Sequence, residues 1–161
     1  AVAIAEYISG DVDSFAALMN QEAAAMGATR SHFVNPNGLP DENHYTCVYD
    51  MYLIFSNAIK NDTFVSIIGT TSYDVTYTDA SGEAVTHTWE NTNQYLTGNA
   101  TTPDGFQIVG GKTGTTGEAG YCLVLYSYNP SGQPIISIVF KADGKSNLYL
   151  LMNEMLQGFA I

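Results

Sequence analysis

The chain has 161 residues, 45% of them apolar and only 13% charged, which suits one globular domain burying roughly 70% of its unfolded surface and excludes a disordered segment. Its net charge of −11 argues against nucleic acid and anionic membranes as partners. No apolar run reaches the roughly 18 residues of a membrane span, and residues 1–10 lack the basic flank of a signal peptide.

Cys47 and Cys122 are the two cysteines. Neither belongs to a C-x-x-C pair, so no metal or other cofactor is expected, and their apolar surroundings suggest buried free thiols. Eleven Tyr, many Thr and Asn, and few Lys correlate with an extracytoplasmic location.

Residues 1–8 are apolar and Ala-rich and read as a helix that Ser9-Gly10 breaks. Asp11 or Asp13 is placed to cap the next helix. Phe15, Leu18, Met19, Ala25 and Met26 mark its core face at helical spacing, and Gly27 stops it. Residues 28–45 form a long loop with two turn signals, Asn35-Pro36-Asn37-Gly38 and Leu39-Pro40-Asp41, and loops of this length are often functional. Thr46 is placed to cap a helix through about Lys60, with Met51, Ile54, Phe55, Ala58 and Ile59 as its apolar face. Asp62 is placed to cap a short helix ending near Gly69.

The period then changes. Ser72 to Thr78 and Val85 to Glu90 alternate as strands joined through Asp79-Ala80-Ser81-Gly82. A polar stretch from Asn91 to Asp104 leads into a strand containing Lys112. Tyr121 to Tyr128 and Pro134 to Lys141 read as two more strands around the turn Asn129-Pro130-Ser131-Gly132. Residues 146–157 close with a helix whose apolar face is Leu148, Leu151, Met152, Met155 and Leu156. Helices first, antiparallel strands next and one helix last make an α+β domain over 1–161, helical to about 70 and sheet-forming from about 71.

The chemistry concentrates in Gly110-Gly111-Lys112-Thr113-Gly114-Thr115-Thr116. With four Lys and one Arg in the chain, a cation between two strands needs a reason. Glycines let a ligand approach the backbone, and Thr113, Thr115 and Thr116 add hydroxyls. The result is a strand edge offering an ammonium, hydroxyls and N–H groups to an anionic or carbonyl-bearing ligand. A phosphate loop, G-x-x-x-x-G-K-[ST], fails here: its first glycine falls on Phe106 and no helix follows.

The run Asp104 to Thr116 with Ala119 to Val124 resembles the serine-type D-alanyl-D-alanine carboxypeptidases, the low-molecular-mass penicillin-binding proteins. Phe15 to Asn20, Ser31 to Leu39 with His44-Tyr45-Thr46 and Asp50-Met51, and Asn91-Thr92-Asn93 resemble the same family in the same order. The resemblance implies part of a β-lactamase/transpeptidase-like fold. It implies a peptidoglycan stem peptide ending in D-Ala-D-Ala as substrate and β-lactams as its mimics. Lys112 would then supply positive charge, and the Thr115 N–H would serve as an oxyanion donor. Thr113, Gly114, Thr116 and Thr92 would bind substrate, with Thr92 standing where some members carry an arginine.

The family's S-x-x-K is missing, since no Ser has a Lys three residues later. The resemblance places the chain's start just after the family's S-x-N, so this polypeptide is expected to be inactive alone. Ser9-Gly10-Asp11 and Ser127-Tyr128-Asn129 have the look of S-x-N but stand at the wrong places. The 134–141 strand is expected to leave an open edge, to be paired by an N-terminal half chain or by another copy. Asn37 and His44 either line the site or, the simpler reading, hold the long loop; His32 and His87 are taken as ordinary. A non-catalytic peptidoglycan-binding pseudoenzyme and a β-lactamase-related fragment are the alternatives.

Overall fold

The structure, a computed structural model, describes residues 1–158. Two helices open it, α1 (Val2–Ser9) and α2 (Val12–Ala25). The long loop follows, then α3 (Val48–Ala58) and α4 (Asp62–Gly69). A hairpin of β1 (Ser72–Thr78) and β2 (Ala84–Glu90) leads to a short α5 (Gln94–Thr97). The chain ends in a meander of β3 (Gln107–Thr116), β4 (Gly120–Tyr128) and β5 (Pro134–Ala142), and then α6 (Lys145–Gly158). The strands form two antiparallel sheets, β1-β2 and β3-β4-β5. The α+β reading therefore holds, with two sheets in place of one run of strands.

Strand β4 runs between two cores because alternate side chains leave opposite faces of a sheet. On one face Leu123, Leu125 and Val139 meet Leu148, Tyr149, Met152 and Leu156 of α6, together with Tyr95 and Phe106. On the other, Val124, Ile136, Ile138 and Phe140 meet Phe55, Ile68 and Phe64 from α3 and α4. Helices thus cover both faces of the three-stranded sheet. The outer edge of β5 pairs with no strand among the described residues.

Several local expectations shift. Asp11 caps α2 by accepting from the Ser14 N–H, as one of the two candidates. Cys47, not Thr46, caps α3, because the Thr46 hydroxyl is engaged by Ser31. Asn61, not Asp62, caps α4, accepting from the Thr63 and Phe64 N–H groups. The polar stretch after Glu90 contains α5, four residues that Asn93 caps. On α2 the buried residues are Ala16 and Ala23, while Leu18 is exposed. On α6 Tyr149 is buried and Leu151 is exposed. In both helices small or aromatic residues near the expected stripe sit deeper, since tertiary contacts rotate the buried face. The cysteines are free but only half-buried, because each sits at an element end.

The tightest contact is backbone on backbone. A Cβ added to Gly110 would lie 2.6 Å from the Ile68 carbonyl oxygen, and one on Gly69 2.6 Å from that of Val109. The end of α4 rests on β3 only because both positions are bare, and β3 bulges there between Ile108 and Gly110. Gly114, by contrast, has nothing within 4 Å of such an atom. Gly110→Ala is therefore expected to destabilise the chain by about 1–3 kcal/mol, whereas Gly114→Ala stays near the parent; urea midpoints of both variants check this.

Candidate functional site

Strand β3 lies at the edge of its sheet, opposite the side that β4 pairs. Register sets Lys112 across from Val124 and Thr115 across from Tyr121. The bulge at Ile108/Gly110 and the α4 contact fix where the glycine-rich half begins. Lys112 is exposed and its ammonium donates to the Thr113 carbonyl. The Thr113 hydroxyl shares a short hydrogen bond with that of Thr92. Asn91 holds Thr92 in place: its backbone N–H donates to the Thr71 carbonyl at 2.8 Å and its side chain to the Thr70 carbonyl at 2.8 Å.

These residues open onto a cavity of about 860 Å³. Thr92, Lys112, Thr113, Gly114, Thr115 and Thr116 all line it, so the structure brings these six expected site residues to one place. Tyr121, Cys122 and Lys145 join them. Opposite stands an apolar wall that includes Met51, Ile54, Phe55, Phe64 and Phe140. The lining contains no carboxylate and no serine. In a chain of net charge −11, two of its five cations face this one cavity.

The long loop supplies the remaining rim, through Pro36, Asn37 and Gly38. Three anchors hold it there. The Asn20 amide of α2 clamps Phe33, accepting from its N–H at 2.7 Å and donating to its carbonyl at 2.8 Å. His32 and Tyr45 pair as an antiparallel bridge across the loop's neck. Asp50 of α3, only 1% exposed, accepts from the Arg30 N–H at 2.7 Å and from the Ser31 hydroxyl at 2.8 Å. At the tip, Asn35 accepts from the Gly38 and Leu39 N–H groups, and Gly38 takes a φ of 75° that favours glycine.

Asn37 thus lines the cavity, against the simpler reading, while His44 does hold the loop, its Nδ1 accepting from the Val34 N–H at 3.1 Å. Burial pushes the His44 pKa down, opposed by Asp41 and aided by His32, which keeps Nδ1 free to accept. For Asp50, burial alone would raise the pKa. The Ser31 hydroxyl, the Arg30 N–H, Cys47 and the Arg30 charge outweigh it and hold the carboxyl below its ordinary value.

Lys145 and Cys122 were the residues that sequence reasoning missed. A signal for Lys145 existed: in an antiparallel meander the end of β5 returns beside the start of β4, where Tyr121 pairs Ala142. A scarce cation three residues beyond Ala142 therefore had to lie near Thr115, across from Tyr121. Ser9 lies at the end of α1 and Ser127 inside β4, and neither lines the cavity.

The fold as a whole matches solved DD-peptidases and transpeptidases. A mutant of a Streptomyces DD-transpeptidase superimposes with a TM-score of 0.82 at 30% identity, covering 93% of this chain and 56% of that one. The D-alanyl-D-alanine carboxypeptidase DacD of Francisella tularensis gives a TM-score of 0.80 at 25% identity, over 97% and 47% of the two chains. The profile of the D-alanyl-D-alanine carboxypeptidase family matches residues 1–144, and the chain belongs to that family. The curated D-alanyl-D-alanine carboxypeptidase DacF of Bacillus subtilis is 33% identical to 96% of this chain, which spans 37% of the relative's length. The chain thus corresponds to roughly a third to a half of the relatives it matches. No helix among the described residues is long and apolar enough to cross a membrane.

The loop anchor carries its own pH dependence. Asp50 has a folded pKa below its unfolded value of about 3.9, so its stabilisation is complete above that value and lost as pH falls through the folded pKa. Asp50→Asn should therefore melt lower than the parent at pH 7, with the two melting curves converging on acidification below about pH 4; thermal melts across pH 2–7 read this out.

Proposed function

We propose that this chain supplies the carboxylate-binding and oxyanion-binding side of a serine-type D-alanyl-D-alanine carboxypeptidase acting on peptidoglycan outside the cytoplasm. The observation that carries this reading is a cavity with two lysines, a hydroxyl-rich edge strand and no carboxylate in an otherwise acidic chain. An anion is the ligand such a lining accommodates, and the C-terminal carboxylate of a stem peptide ending in D-Ala-D-Ala is that anion. Lys112 and Lys145 contribute charge, the Thr113 hydroxyl accepts placement from Thr92 and donates to the carboxylate, and Gly114 leaves room for the peptide backbone. Thr116 closes the strand's end.

In the proposed reaction a serine hydroxyl attacks the carbonyl between the two D-alanines, giving up its proton as the C–O bond forms. The tetrahedral oxygen accepts from the Thr115 N–H. The C–N bond then breaks, the terminal D-alanine takes the proton, and water later cleaves the acyl-enzyme. One oxyanion donor is worth about 3–4 kcal/mol in such sites. No serine lines the cavity, so the nucleophile belongs to another segment. We assign to it the apolar wall of Met51, Ile54, Phe55, Phe64 and Phe140, as the seat of a helix bearing S-x-x-K. The open edge of β5 is the matching seat for further strands, from an N-terminal half or a second copy. The same lack of a serine supports a second reading, a peptidoglycan-binding pseudoenzyme.

Two experiments separate these. Fluorescent penicillin should label covalently a longer chain carrying S-x-x-K upstream and leave this chain unlabelled; if neither is labelled, the pseudoenzyme reading replaces the enzyme. On binding, Lys112→Ala and Lys145→Ala should each weaken an acylated tripeptide ending in D-Ala-D-Ala by about tenfold or more, the worth of one charge-assisted hydrogen bond. A C-terminally amidated tripeptide should bind weakly to all three proteins alike, which calorimetric titration measures.

A further inference from the structure

The β1-β2 hairpin is two-faced. Residues paired directly across it share a face, so Tyr73 with Trp89, Val75 with His87, and Tyr77 with Val85 form one side. The opposite side carries Asp74, Thr76, Thr86 and Thr88, knit by hydrogen bonds from Thr88 to Asp74 at 2.6 Å and between Thr76 and Thr86 at 2.9 Å. These bonds brace the polar side, while the aromatic side keeps Val75 and Val85 half-buried and its larger rings exposed. Tyr73 is 61% exposed and Trp89 57%. Beyond each other, the two strands make no more than marginal contact with any described element.

The hairpin's position ties it to the cavity. It leaves α4 at Gly69, and its last residue, Glu90, stands two before Thr92, which bonds Thr113. The Asn91 side chain fastens this root to Thr70. The aromatic side is therefore rooted near the cavity, with Trp89 three residues before Thr92.

We infer that this aromatic side binds the neutral, N-acetylated glycan strand that carries the stem peptide. The inference rests on the peptidase reading above and deepens it. Pyranose rings present C–H faces that stack on aromatic rings, and hydroxyl and acetamido groups that bond to polar ring tips. Tyr73, Tyr77, His87 and Trp89 offer both, since each ring has an apolar body and a polar end. His87 and Trp89 lie edge to face, centroids 6.1 Å apart, and make a continuous ring surface. The side bears no Lys, Arg, Asp or Glu, which suits an uncharged polymer. A surface made for an apolar helix would carry Leu, Ile or Met, as the cavity wall does. The chain's net charge of −11 disfavours an anionic membrane. From Tyr73 to Tyr77 the strand rises roughly 13 Å, room for a short oligosaccharide.

Trp89 is the single tryptophan, so its fluorescence reports on this side alone. Titrating the chain with the β-1,4-linked tetramer of N-acetylglucosamine should shift Trp89 emission to the blue and saturate. The double variant Tyr73→Ala, Tyr77→Ala should weaken that binding by about tenfold or more. Thr76→Ala, on the opposite side, should leave it unchanged, and thermal melts should show all variants folded. Absence of any response at millimolar sugar overturns the inference. So does a shift produced by raising protein concentration, or by neutral phosphatidylcholine vesicles, with none from the sugar. Calorimetry with the D-Ala-D-Ala tripeptide on the same sample separates the two readings. Tripeptide binding with a silent Trp89 sinks the glycan site alone, and sugar binding with a silent tripeptide keeps the glycan site while the peptidase reading falls.

Discussion

The approach of Gly69 to Gly110 is the constraint on which the rest depends. Two backbones touch there with no side chain between them. That contact seats the α3-α4 layer on the sheet, and the bulge beside it sets the phase of β3 for the residues that follow. Lys112 comes two residues later. A Cβ at Gly111 would likewise lie 2.4 Å from the Val124 carbonyl oxygen, so the glycine pair is clamped from the helix side and from β4. The signature sequence before the lysine is thus structural: glycines lock the strand so that the lysine and threonines beyond it stand in a fixed place. Gly114, with open space around it, serves access instead of packing.

The electrostatics follow from where the few cations are put. A net charge of −11 would seem a poor basis for holding an anion. Charges on the surface, however, are screened beyond about 8 Å at physiological salt. What an anion meets inside the cavity is set by its lining, which includes Lys112 and Lys145 and no carboxylate; Glu118 and Asp143 line the adjoining cleft beyond Thr115, Thr116 and Tyr121. Arg30, by contrast, is spent on structure, 3.9 Å from Asp50 at the base of the loop.

Much of this was legible along the chain, for identifiable reasons. Strands β3 to β5 and the β1-β2 hairpin announce themselves through alternation and Gly- or Asn-containing turns, which are local signals. The caps moved by one residue because Asn61 and Cys47 compete with Asp62 and Thr46; at α3 the Thr46 hydroxyl is engaged by a distant partner, Ser31, and at α4 Asn61 takes the Thr63 and Phe64 N–H groups. Helix α5 is too short to show a period. The loop's part in the site was offered by its length but left open, because its placing depends on contacts across 13 to 20 residues, from Asn20 to Phe33 and from Asp50 to Arg30. Lys145 was missed since the motif drew attention to β3 and not to the strand end that the meander returns beside it.

The cavity wall and the hairpin's free side differ in chemistry, and that difference underlies the readings proposed for them. The cavity wall is Met, Ile and Phe, side chains with no polar ends, which gain only by meeting another apolar surface. The hairpin's free side is Tyr, His and Trp, which lose little in water and gain from a ligand that is apolar on its faces and polar at its edges. A protein segment suits the first and a sugar the second. The hairpin's root runs through Asn91, which bonds Thr70, to Thr92, which lines the cavity and bonds Thr113. On the two readings proposed above, peptide and glycan recognition are joined through one covalent stretch of five residues, from Trp89 to Asn93, and tethering the polymer at one site raises the effective concentration at the other.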